Sequence, residues 1–65
     1  MTEKETNEVE RRARTMSRRR KVNYLFDNRW RKRHDHKWED AQTGVAMPFG
    51  QAVRYQIEQD IARGR

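Results

Sequence analysis

His34-Asp35-His36, with Glu39 and Asp40 close behind, is the one run in this 65-residue chain whose residue types could gather around a metal ion. Two His at i,i+2 point to the same side of a strand, but a structural zinc needs about four ligands, and the chain has no Cys and no third His. The expectation is a polar turn or an exposed strand, with no metal and no cofactor. Covalent chemistry is as poorly supplied. The hydroxyls are Thr2, Thr6, Thr15, Ser17, Thr43, Tyr24 and Tyr55, none placed beside a His that a short chain could orient, and three Gly do not make a phosphate-cradling loop. The acidic pairs Glu39-Asp40 and Glu58/Asp60 suit solubility or helix-end roles rather than a Mg²⁺ cluster. The chain is expected to be no enzyme, to have no catalytic residues and to take no small-molecule substrate.

Binding chemistry is better supplied. Residues 1–10 carry four Glu against one Lys, a charge of −3. Residues 11–37 hold twelve bases and two acids, a charge of +10, and residues 38–65 return to −1, so all of the net +6 sits in one central block. Twelve of the sixteen bases are Arg, whose planar fork grips phosphate or carboxylate with two hydrogen bonds and stacks on rings. The candidate contacts to a phosphate backbone or an acidic partner are Arg11, Arg12, Arg14, Arg18, Arg19, Arg20, Lys21, Arg29, Arg31 and Arg33. Tyr24 and Trp30, interleaved among them, are candidate stacking platforms for unpaired bases. Core placement competes for both Trp30 and Trp38, because so small a domain needs nearly all of its aromatics inside.

Three kinds of element must position these side chains. The first twenty residues have helix grammar with little apolar content: a capping box from Thr2 to Glu5, Glu early and Arg late, the i,i+4 pairs Glu8/Arg12 and Glu10/Arg14, and only Val9, Ala13 and Met16 as an apolar stripe. This predicts a basic arm over 1–20, disordered or partly helical when free. Over 22–33 two periodicities compete. Val22, Phe26, Trp30, His34 and Trp38 recur every four residues, as on a helix, whereas Val22 to Phe26 is rich in β-branched and aromatic types and ends in Asp27-Asn28, a candidate hairpin turn before Arg29. The hairpin is preferred, with Leu25 facing Trp30 and Tyr24 facing Arg31. A second hairpin is expected around Gln42-Thr43-Gly44, and Pro48 stops its strand. Val53, Ile57 and Ile61 then mark a helix over about 51–63 that ends at Gly64, to be covered by Phe26, Trp30, Trp38, Val45, Met47 and Phe49. The fold expected is α+β: a basic arm, then a unit over 21–65 of short antiparallel strands packed on one C-terminal helix, with all-α as the alternative.

Composition bounds the rest. Charged residues reach 40% and hydrophobic residues only 32%, so a large enclosed cavity is not expected. No apolar run approaches a membrane span and none follows Met1 as a signal peptide would, which predicts a cytoplasmic protein without membrane contact. The arginine-rich stretch from Glu10 to Lys21, in so small a chain, resembles the arginine-rich motifs of bacteriophage antitermination proteins, and the whole resembles small phage-encoded regulators that bind bacterial RNA polymerase. That resemblance implies a polymerase subunit as partner, RNA or DNA contacts through the arm, no catalysis, and the host cytoplasm as location. The expected function is a transcription regulator that inhibits or redirects RNA polymerase. A stand-alone DNA- or RNA-binding protein and an adaptor or inhibitor of an acidic protein are the alternatives.

Overall fold

The computed structural model describes residues 3–64. Its elements in chain order are α1 (Glu3–Thr15), α2 (Arg18–Asp27), β1 (Trp30–Lys32), β2 (Lys37–Asp40), β3 (Ala46–Pro48) and α3 (Phe49–Ala62). The three strands form one antiparallel sheet in the order β1-β2-β3, an α+β architecture with the sheet packed on the C-terminal helix.

α1 places Glu3 and Glu5 in its first turn and Arg12 and Arg14 in its last, complementing the helix dipole. Thr2 of the expected capping box lies outside the described residues. Val9 and Ala13, one turn apart, are buried against α3, so the thin apolar stripe suffices to dock the helix. This differs from an arm standing apart from the folded unit, and the boundary drawn after residue 20 falls inside α2. The break between the helices is at Met16-Ser17, where Ser17 is extended and its Oγ accepts from the Arg20 N–H at 3.3 Å as an N-cap.

α2 corrects the hairpin expected for 22–33. Residues 22–27 are helical, and Leu25 is 0% exposed in the core instead of facing Trp30 across a ladder. The physical reason is that β-propensity reports a side chain's fit to a half-buried surface, and here the partner for β1 lies downstream. Asp27-Asn28 ends a helix rather than turning a hairpin, since Asn28 Nδ2 donates back to the Tyr24 carbonyl at 2.8 Å. Arg29 follows at φ 66°, the left-handed residue that releases the chain into β1.

In the sheet, Trp30 pairs with Asp40 and Lys32 with Trp38, while Trp38 also pairs with Met47. Strand alternation puts these on the helix side and leaves Arg31, Glu39 and Ala46 on the open face. The hairpin expected around Gln42-Thr43-Gly44 is present. Gly44 takes φ 74° and donates to the Asp40 carbonyl at 2.8 Å, and Asp40 Oδ1 accepts from the Gln42 N–H at 2.9 Å. Pro48 ends edge strand β3, where its missing N–H costs no ladder bond to another strand. α3 buries Ala52, Val53 and Ile57 against Val9, Ala13, Leu25, Trp30 and Trp38. Of the six side chains expected to cover it, Phe26 and Val45 are exposed instead.

A polar chain runs through this core. The Trp30 indole N–H donates to Gln56 Oε1 at 2.8 Å, Gln56 Nε2 donates to Asp60 Oδ1 at 3.0 Å, and the Tyr24 hydroxyl donates to Asp60 Oδ2. Buried polar atoms are thereby satisfied rather than stranded.

Candidate nucleic-acid interface

The sequence-predicted cations divide by whether a carboxylate already holds them. Arg11 and Arg12 both reach Glu8 on α1, at 2.5 and 2.8 Å. Hydrogen bonds from Arg11 and then Arg12 hold the Glu8 carboxyl at about 2, well below its ordinary 4.5, and Glu8 in turn raises Arg11. Arg31 lies 3.6 Å from Glu39, and Arg33 lies 3.5 Å from Asp35 and 3.8 Å from Glu39, on the open face of the sheet and its turn. All of these are local, partly exposed pairs of the kind that contribute little to stability.

Five of the other six stand on either side of the α1–α2 junction. Arg14 closes α1, and Arg18, Arg19, Arg20 and Lys21 open α2, with the Met16-Ser17 break between them. Among the described residues no carboxylate lies within ion-pair distance of any of the five. The elbow between the two helices is therefore a concentrated positive surface. Arg14 sits where a cation belongs, at a helix C-terminus, but the four in the first turn of α2 oppose the dipole, and that turn has no acidic residue. A groove of about 340 Å³ enters the elbow from the α3 side, lined by Arg14, Lys21 and Arg54 and by Glu10. Arg54 binds Glu10 at 2.8 Å, which supersedes the expected Glu10/Arg14 pair and leaves Arg14 to the elbow.

Tyr24 and Trp30 do not take the places that the sequence suggests for them. Trp30 is 1% exposed with its indole N–H committed to Gln56, and Tyr24 is half-buried with its hydroxyl on Asp60. The core needs the bulk of Trp30, which closes its ring to a base, and the polar chain holds the hydroxyl of Tyr24. Arg29 is exposed, with no carboxylate in ion-pair reach among the described residues, beside a polar hollow of about 260 Å³ shared with Asp27, Asp40 and Arg63. Sequence reasoning missed Arg54, which only the docking of α1 on α3 brings to the elbow. It also missed the exposed Phe26, whose i,i+4 spacing from Val22 and i,i+8 spacing from Arg18 was the available signal.

His34, Asp35 and His36 form the β1–β2 turn, where the Asp35 carboxylate accepts from the Lys37 N–H at 3.3 Å. Among the described residues no group of three or more His, Asp or Glu converges as metal ligands would. No described helix is long and apolar enough to cross a membrane. Comparison with known protein families, with curated proteins and with solved structures finds no match.

Proposed function

We propose that this protein is a non-enzymatic nucleic-acid-binding regulator that grips a phosphate backbone with the α1–α2 elbow. One observation carries the reading: Arg14 in the last turn of α1 and Arg18, Arg19, Arg20 and Lys21 in the first turn of α2 stand on either side of one helix junction without a neutralising carboxylate among the described residues, four of them against a helix dipole. Such an arrangement is unfavourable in the free protein and is relieved by a polyanion, whose released counterions supply the driving force. The test is binding of a labelled oligonucleotide across a salt series, by fluorescence anisotropy. Changing Arg18, Arg19 and Arg20 together to Ala should weaken binding at every sequence and flatten the dependence of log K on log salt by about 0.7–0.9 for each phosphate that is no longer neutralised. Unchanged affinity and slope would remove the elbow's assigned role.

A second reading keeps the elbow and adds RNA polymerase as the protein beside which it works. Its support is the arginine-rich run through Arg11 to Lys21, whose composition is similar to that of phage antitermination motifs. Capture from a bacterial lysate with and without nuclease separates the cases: polymerase subunits retained after nuclease favour this reading, and loss of all partners favours direct nucleic-acid binding alone.

A further inference from the structure

Six aromatic residues are the largest apolar groups this chain owns, yet Phe26 leaves about half of its surface, 53%, in water. It is not stranded. Its ring meets Trp38 in an edge-to-face contact with centroids 5.1 Å apart, Trp38 meets Phe49 at 5.9 Å, and the Arg18 guanidinium lies 5.5 Å from the centre of the Phe49 ring. The result is a row, guanidinium to ring to ring to ring, whose far end is open. The contact with Trp38 anchors Phe26 at the core while about half of its surface stays in water, which is what a stacking platform needs.

The stripe of α2 that carries that ring is polar and positive towards its start, and the exposed Asp27 follows the ring at its end. Arg18, Val22 and Phe26 follow one another at i,i+4 along a single stripe of α2, so the Arg18 and Phe26 backbones lie about 12 Å apart, two helical turns. Arg19 and Asn23, both exposed, occupy the adjoining stripe, and Asn23 stands one turn from Phe26 with an amide that can both donate and accept. Lys32, exposed, is directly across from Trp38 on the same face of the sheet. Neither Arg18, Arg19 nor Lys32 has a carboxylate in ion-pair reach among the described residues. An exposed ring with cations two turns back along its own helix stripe and across the sheet from its Trp38 neighbour suits a ligand that alternates planar groups with negative charges. That describes an unpaired polynucleotide: a duplex hides its base faces, and an acidic peptide has no ring at each charge.

We propose that Phe26 is the stacking platform for an unpaired base, and that the strand carrying this base is held by Arg18 and Arg19 of α2 and Lys32 of β1. The proposal rests on the elbow reading and sharpens it from nucleic acid in general to a single strand. The aromatic role that the sequence assigned to Trp30 and Tyr24 belongs to a neighbour one turn of α2 beyond Val22.

The test compares a short labelled oligodeoxythymidine strand with a duplex of equal length, each titrated with wild type, Phe26→Ala, Phe26→Trp and the Arg18, Arg19, Arg20 triple Ala variant. Circular dichroism checks that each is folded. Phe26→Ala should weaken strand binding about tenfold or more at unchanged salt slope and leave duplex binding alone, while Phe26→Trp should bind the strand at least as well as wild type. If Phe26→Ala binds the strand like wild type and the triple variant does not, stacking is overturned and the elbow survives. Should neither variant lose affinity, both readings fail. Equal losses on strand and duplex would also overturn stacking, as would loss of a captured protein partner with oligonucleotide binding intact.

Discussion

Arg29 shows how a single residue can stand against its own backbone. Its φ of 66° is a conformation in which an L side chain is strained and glycine is not, and the chain nevertheless places a cation there. The position terminates α2 and starts β1: the Arg29 N–H donates to the Phe26 carbonyl at 3.1 Å and its own carbonyl accepts from the Ala41 N–H at 3.1 Å. Those bonds belong to the backbone and survive any side chain. Arg29→Gly should therefore stabilise the protein by about 0.5–1 kcal/mol, read as a higher urea midpoint at constant slope, once the strain relieved is set against the added freedom of the unfolded chain. If the guanidinium contributes to phosphate binding, the same variant binds less tightly, and stability and affinity part company at one residue. Trp30 is the opposite case, a side chain whose bulk and N–H are both consumed by the core, which is why proximity to arginines in sequence misidentified it as a contact.

At the scale of elements, α1 is held by modest means. Its buried contribution is Val9 and Ala13, and its Glu8 is hydrogen-bonded by Arg11 and Arg12. Because Glu8 has a carboxyl held at about 2 in the folded chain against an ordinary 4.5, its contribution is complete above pH 4.5 and fades as pH falls towards 2. Wild type and Glu8→Gln should accordingly differ in urea midpoint near neutrality and converge on acidification, and the difference should shrink in high salt because the pair is at the surface. The i,i+4 pairing of Glu8 and Arg12 was legible in the sequence, as were the hairpin at Gly44, the stop at Pro48, and α3 from Val53, Ile57 and Ile61. What was not legible has one physical origin. A helical stripe and a β-rich composition coincided over Val22 to Phe26, and only long-range packing decides between them: as a helix the segment buries Leu25 in one core with Trp30 and Trp38. The same tertiary choice moved Phe26 from a core candidate to the surface, and a separate one, the docking of α1 on α3, brought Arg54 to Glu10 in place of Arg14. The cations of the elbow were identified from sequence; their placement on either side of a break between two helices was not, because Ser17 as an N-cap is a local signal whose consequence is three-dimensional.

Taken as a whole molecule, the chain carries its excess positive charge where that charge costs most. A net charge of +6 on 65 residues already repels itself, and Arg18, Arg19 and Arg20 add to this by opening a helix with cations where anions belong. A sequence shaped by stability alone would place Asp or Glu there, as α1 does with Glu3 and Glu5. Departure from a local rule at an exposed surface, where the ring contact is that of Arg18 over Phe49, marks a place where stability has been exchanged for binding. The triple Ala variant should thus be more stable than wild type in the absence of ligand, by about 1 kcal/mol at low salt, since each cation against the dipole costs about 0.3–1 kcal/mol and Ala is the better helix former, while losing the Arg18 contact with the Phe49 ring takes back about 0.5–1 kcal/mol. The Ser17 cap is untouched, because its oxygen accepts from the backbone N–H of residue 20 and not from the side chain. Added salt should narrow the difference by screening wild type, and a saturating oligonucleotide should reverse it, raising the midpoint of wild type through linkage while leaving the triple variant nearly unmoved. Thermal melts in three conditions, low salt, high salt and saturating oligonucleotide, separate the outcomes. A triple variant that is less stable than wild type at low salt would mean that these arginines hold the fold together, and the elbow would then be a structural device rather than a binding surface.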